Sequence, residues 1–179
     1  MTPLLATAVP LWSPLAAIGL FPFFLFGLRW SKDARILFSP GTCVPFVPVA
    51  LLIALYLGLD AASVPHAWQV RNFPNPVSFL VNYGLFCLVE FGFLALVLAK
   101  IGKFDLPMRI AVIVLCLLPL CYYGPGNDLA MRASIPALCV LAFACARALG
   151  NAADGLTGWH AVLAIVLIVG AAGAAQEPI

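Results

Sequence analysis

Val77 to Ala99 reads VSFLVNYGLFCLVEFGFLALVLA, and these twenty-three residues decide the class of the fold. As a helix they extend about 35 Å, enough to cross a hydrocarbon core of about 30 Å. The run carries Asn82 near one end and Glu90 close to its middle. A lone carboxyl at that depth costs about 3 kcal/mol on insertion scales, so it is expected to be protonated and hydrogen-bonded, or paired inside a bundle. Tyr83, Cys87 and Glu90 fall near one face of the helix. Two roles fit Glu90 and Asn82: a structural hydrogen bond, or the lining of a path for a proton or substrate.

Outward from this run the chain keeps the same character. Of 179 residues 64% are hydrophobic and 9% charged, against about 25% charged in an average soluble domain, too few to cover a water-soluble surface. The fifteen prolines lie among Leu, Phe, Val and Ala runs, which excludes a disordered chain. A net charge of +2 with scattered basic residues argues against a nucleic-acid partner. Cys43, Cys87, Cys116, Cys121, Cys139 and Cys145 form no CxxC pair and read as small buried hydrophobes, so no metal site is expected. No P-loop, nucleophile elbow, HExxH or dinucleotide fingerprint occurs, and no cofactor is implied.

These runs predict an all-α integral membrane bundle of about six transmembrane helices. The first is Leu11 to Leu28, which lacks the basic segment of a cleaved signal and is followed by Arg29, Trp30, Lys32 and Arg35. The second is Val44 to Leu59, with Pro45 and Pro48 in its first turns. Asp60 to Pro76 is a polar connection holding His66, Trp68, Arg71 and Asn72. Val77 to Ala99 is the third span, Ile110 to Tyr123 a fourth so short that a partly re-entrant helix is expected near Gly124 to Pro136, and the fifth runs through Leu149. Trp159 to Ala175 makes the sixth. Ala142 with Ala146, Ala144 with Ala148, and Gly170 with Ala174 give small-residue faces that fit either packing of spans five and six or an oligomer contact.

Connections that follow odd-numbered spans hold seven basic residues, Arg29, Lys32, Arg35, Lys100, Lys103, Arg109 and Arg147, while the other side holds two, Arg71 and Arg132. The basic side faces the cytoplasm. Both termini are then expected outside it, in a bacterial inner membrane. An outer N-terminus fits either an odd number of further spans preceding Met1 or a first span inserted as a reverse anchor, and the polar ending Gln176 to Ile179 also suggests a fragment.

Tyr122 to Pro136, YYGPGNDLAMRASIP, gathers turn formers, both charge signs and hydrogen-bonding side chains. Gly124, Pro125 and Gly126 end span four in a turn. Asn127 or Asp128 is expected to cap the next helix by accepting its free N–H groups. Asp128 and Arg132, four apart, share a face as an ion pair. Pro136 removes the partner of the Arg132 carbonyl, so the helix bends, and Ser134 can satisfy freed backbone. Two readings fit. Asp128 caps the helix and neutralises Arg132 with nothing bound, or the helix start and Arg132 receive an anion such as a lipid phosphate, flanked by Tyr122 and Tyr123. His66 and Arg71 face the same compartment, and His66 has no Asp or Ser at a diagnostic spacing.

The run from Tyr123 to Leu138, YGPGNDLAMRASIPAL, resembles a segment in the C-terminal membrane half of large bacterial multi-span proteins. Some of these are similar to polyprenyl-phosphate-sugar-dependent glycosyltransferases of the GT-C type. The resemblance implies an inner-membrane bundle with a periplasm-facing site for a polyprenyl-phosphate lipid. Asp60 opens an outer loop but lacks the acidic pattern that such transferases carry there. A non-catalytic membrane subunit or small transporter using Glu90 and Asn82 is the alternative.

Overall fold

The computed structural model describes residues 13–30, 51, 55, 58, 64–73, 75–102, 104–124, 126–150 and 157–174. In chain order these form α1 (Pro14–Trp30), β1 (His66–Trp68), a 3-10 turn (Gln69–Asn72), α2 (Pro76–Cys87), a π turn (Leu88–Gly92) and α3 (Phe93–Lys100). There follow α4 (Leu106–Leu117), a 3-10 turn (Leu118–Leu120), β2 (Cys121–Tyr123), α5 (Asp128–Ala133), α6 (Ile135–Gly150) and α7 (Gly158–Ala174). Helix dominates, as the apolar runs predict; the two short strands are not foreshadowed by them. The expected second span (apart from positions 51, 55 and 58), the basic residues Lys32, Arg35 and Lys103, and the ending after Ala174 lie outside the described residues.

Local chemistry sets the helix boundaries. Ser13 caps α1 by accepting from the N–H of Ala16 at 3.3 Å, with Pro14 in the first helical position. Asn75 repeats the device for α2, accepting from Val77 at 2.9 Å ahead of Pro76. The helix then runs through the π turn to Lys100 and stops where Gly102, at φ +79°, supplies the left-handed residue that closes many helices. Asp105 starts α4 by accepting from the N–H of Met108 at 3.3 Å.

Among the described residues two helices are long and apolar enough to cross a membrane, Pro76–Lys100 and Asp128–Gly150; Pro14–Gly27, Leu106–Leu120 and Gly158–Ala171 are shorter apolar helices. The fourth expected span is displaced. Asp105 starts it at Leu106 rather than Ile110, and Pro119, which has no N–H to give, ends regular helix so that Cys121 to Tyr123 become strand.

The chain divides into two units. One contains α1, the β1–β2 ribbon and α5; the other contains α2, the π turn, α3, α6 and α7, with most of α4. In the first, α1 packs against α5. In the second, α7 packs against α3. Of the small-residue faces, Ala144 and Ala148 are buried on α6, while Ala142, Ala146 and Gly170 are exposed. The core of this unit uses larger side chains, with Leu98, Met108 and Leu163 fully buried.

Glu90 lies in the π turn, where the N–H of Phe93 reaches back five residues to the carbonyl of Leu88. Gly92 fits this wide turn because a Cβ there would stand 2.8 Å from the Cys87 carbonyl oxygen. Phe91 is buried while Glu90 is exposed and makes no hydrogen bond or ion pair among the described residues. The extra residue of the π turn leaves it beside exposed Val89 and Phe93. The Tyr83 ring stacks on Phe79 at 5.5 Å. Asn82 is exposed and donates to the Ser78 carbonyl at 2.8 Å within its own helix.

Candidate functional site

Beyond Pro119 the backbone extends, and Cys121–Tyr123 pairs antiparallel with His66–Trp68, setting His66 opposite Tyr123 and Ala67 opposite Tyr122. The N–H of Gly124 donates to the Pro65 carbonyl at 3.0 Å and prolongs the ribbon by one bond. Two segments some fifty residues apart in sequence are thereby joined. His66 and Tyr123 hold their ring centroids 6.4 Å apart. The Nδ1–H of His66 donates to the Val64 carbonyl at 3.0 Å, which leaves Nε2 as the acceptor of the neutral ring. Arg71, exposed in the following 3-10 turn, sits on the segment that packs along Leu118–Leu120.

The turn after β2 needs left-handed backbone twice. Gly124 adopts φ +84° and has no Cβ to oppose Asp128, whose Oδ2 would stand 2.5 Å from one. Asn127 adopts φ +54°, the only positive φ at a non-glycine residue among the described ones. It occupies the capping position of α5, yet its side chain makes no capping hydrogen bond. The expected cap fails for a geometric reason: a capping side chain reaches the free N–H groups from extended backbone, and the left-handed conformation aims it elsewhere. Its Oδ1 is buried without a hydrogen-bond partner among the described residues.

Asp128 and Arg132 form the expected pair along α5, but loosely, with Nε to Oδ1 at 4.0 Å and side chains 41% and 60% exposed. Such a pair contributes less than about 1 kcal/mol and leaves most guanidinium donors free for another acceptor. Ser134 interrupts the helix before Pro136 and donates to the Met131 carbonyl at 3.1 Å, taking up one backbone acceptor at the break. Asp128, Arg132, Asn127 and Tyr123 thus lie on one continuous turn and helix, with His66 across the ribbon from Tyr123. Glu90 and Asn82 belong to the other unit.

Two polar contacts escape the sequence reading. Arg147 Nη2 lies 2.6 Å from Asp105 Oδ2, and this hydrogen bond holds the Asp105 carboxyl below its usual range. The signal was opposite charge at two helix ends that the charge count places on one side. His160 is buried: its Nδ1 accepts from the N–H of Thr157 at 3.2 Å and lies 2.8 Å from the Thr157 hydroxyl. No cluster of three potential metal-ligating side chains occurs among the described residues.

Comparison of the chain with family models, with curated proteins and with solved structures finds no match.

Proposed function

We propose that the chain is a multi-pass helical protein of a bacterial inner membrane, about six spans in all, carrying a periplasm-facing anion site of the kind used for lipid-linked sugars. Arg132 would bind the phosphate of a polyprenyl-phosphate lipid. Asp128 orients the guanidinium, Tyr123 and His66 flank the head group, and the free Oδ1 of Asn127 accepts from a sugar hydroxyl. The observation that carries this reading is the pairing of His66–Trp68 with Cys121–Tyr123, which joins the two segments that the charge count assigns to the outer side. Membrane residence is supported by two helices of spanning length and by exposed side chains such as Val89 at 71% and Phe143 at 75%, surface that lipid would cover.

The test is binding of polyprenyl phosphate to the protein in phosphatidylcholine vesicles. Arg132→Ala should weaken it at least tenfold with helicity unchanged. Unchanged binding in a folded Arg132→Ala protein sinks the phosphate site.

The π turn around Glu90 favours a second reading, since such turns interrupt regular helix most often at functional positions. Glu90 with Asn82 would then line a proton or substrate path of a small transporter, or form the contact of a non-catalytic membrane subunit. Glu90→Gln should abolish a proton-coupled flux in vesicles, and an unaltered flux excludes the path.

A further inference from the structure

In the second unit, an open groove of about 440 Å³ is lined by Asp105 and Pro107 at the start of α4 and by Val140, Phe143, Ala144, Ala146 and Arg147 of α6. That volume falls within the range of small-molecule sites. Its polarity is graded. Arg147 and Asp105 meet at one end at 2.6 Å, each about half exposed. From Arg147 back to Val140 the helix climbs about 10 Å, and its lining side chains there are apolar. Ala144 is buried and Phe143 is 75% exposed, so small residues form a floor and the aromatic ring a wall with an uncovered face.

We propose that this groove binds one membrane phospholipid with a primary-amine zwitterionic head group, of the phosphatidylethanolamine type. The proposal rests on the membrane reading above but not on the phosphate site at Arg132. The head group has one negative phosphate and one ammonium, and the groove mouth presents one guanidinium and one carboxylate. Phosphate toward Arg147 and ammonium toward Asp105 satisfies both signs at once. A head group with net negative charge would leave its excess facing Asp105, and a choline head group has no N–H to donate to the carboxylate. Arg147 uses one nitrogen on Asp105, and its other donors have no partner among the described residues. An acyl chain then follows Val140 and Phe143 toward the membrane interior. The mouth lies with the basic connections, so the lipid comes from the cytoplasmic leaflet.

The experiment measures lipid co-purifying with the full chain after reconstitution with equal amounts of phosphatidylethanolamine and phosphatidylcholine of identical acyl chains, read by native mass spectrometry. The unmodified protein should retain the ethanolamine lipid about two- to five-fold over the choline lipid, the scale of one exposed charge contact. Asp105→Asn keeps an acceptor for the helix start, so the protein folds, but the preference should vanish. Ala146→Phe, at an exposed position, should fill the groove and displace both lipids. Equal retention of the two lipids by the unmodified protein, or full retention in Ala146→Phe, overturns the proposal. Alkaline extraction of membranes separates the premises: release of the chain removes the membrane reading itself, whereas a chain that stays embedded without lipid preference removes only the groove.

Discussion

Gly19 of α1 lies against the Ala133 carbonyl of α5, so close that a Cβ at position 19 would overlap the carbonyl oxygen and carbon. Ala133 is fully buried at this crossing. Backbone can give only by moving a helix, so Gly19→Ala should destabilise the unit by about 1–3 kcal/mol, the usual cost of overpacking. Thermal unfolding in detergent, followed by circular dichroism, should show a lowered midpoint. Gly27, where a Cβ would meet nothing, serves as the control: Gly27→Ala should leave the midpoint unchanged or raise it.

The Asp105–Arg147 contact gives stability a pH dependence of known sign. Asp105 has its folded pKa depressed, chiefly by the hydrogen bond from Arg147. The unfolded chain therefore binds the proton more readily, and the contribution is present above the ordinary carboxylate value near 4 and disappears as pH falls through the lower folded value. Both groups are about half exposed, so the effect stays below about 1 kcal/mol. The difference in unfolding midpoint between the native protein and Arg147→Gln should shrink on acidification from about pH 5 to pH 2. A difference that grows over that interval would reverse the assigned sign.

Helical class and the site turn were legible because the signals were strong and local. An apolar run of twenty-three residues admits little but a long helix, and Gly-Pro-Gly ahead of Asn-Asp admits little but a turn and helix start. The start of α4 was misplaced because the span was read from its uncharged run, whereas the Asp105 carboxylate caps the helix ahead of that run. The buried position of His160 was not legible for a similar reason. A capping box is recognised by Glu or Gln three residues after the cap, and here an imidazole nitrogen accepts the bond. The β1–β2 ribbon could not be read at all, because three-residue strands have no periodicity and their pairing depends on where distant helices bring the chain.

Glu90 differs from Asp105 in having no partner among the described residues. If lipid covers this surface, Glu90→Leu should favour membrane insertion by about 3 kcal/mol on insertion scales. A translocon-based insertion assay of the segment from Pro76 to Lys100, compared with Glu90→Leu, reads this directly. In the whole protein the same substitution should raise the unfolding midpoint. A lowered midpoint would show that the carboxyl is held by a partner, and would move the transporter reading ahead of the phosphate site.

Asn127 combines two costs in one residue: left-handed backbone at φ +54° and a buried Oδ1 with no hydrogen bond. Asn127→Gly removes both, since glycine adopts this conformation freely and brings no acceptor. Glycine also makes the unfolded chain more flexible, which offsets part of the gain, so the net stabilisation should be about 1 kcal/mol. A residue that weakens the fold at a turn beside Arg132 is where function and stability are expected to diverge. If Asn127 accepts from a ligand hydroxyl, Asn127→Gly should unfold at a higher temperature and bind a polyprenyl-phosphate sugar several-fold more weakly, with binding of the unglycosylated polyprenyl phosphate unchanged. Equal loss for both lipids would assign Asn127 to shaping the turn under the phosphate. No loss for either would remove it from the site.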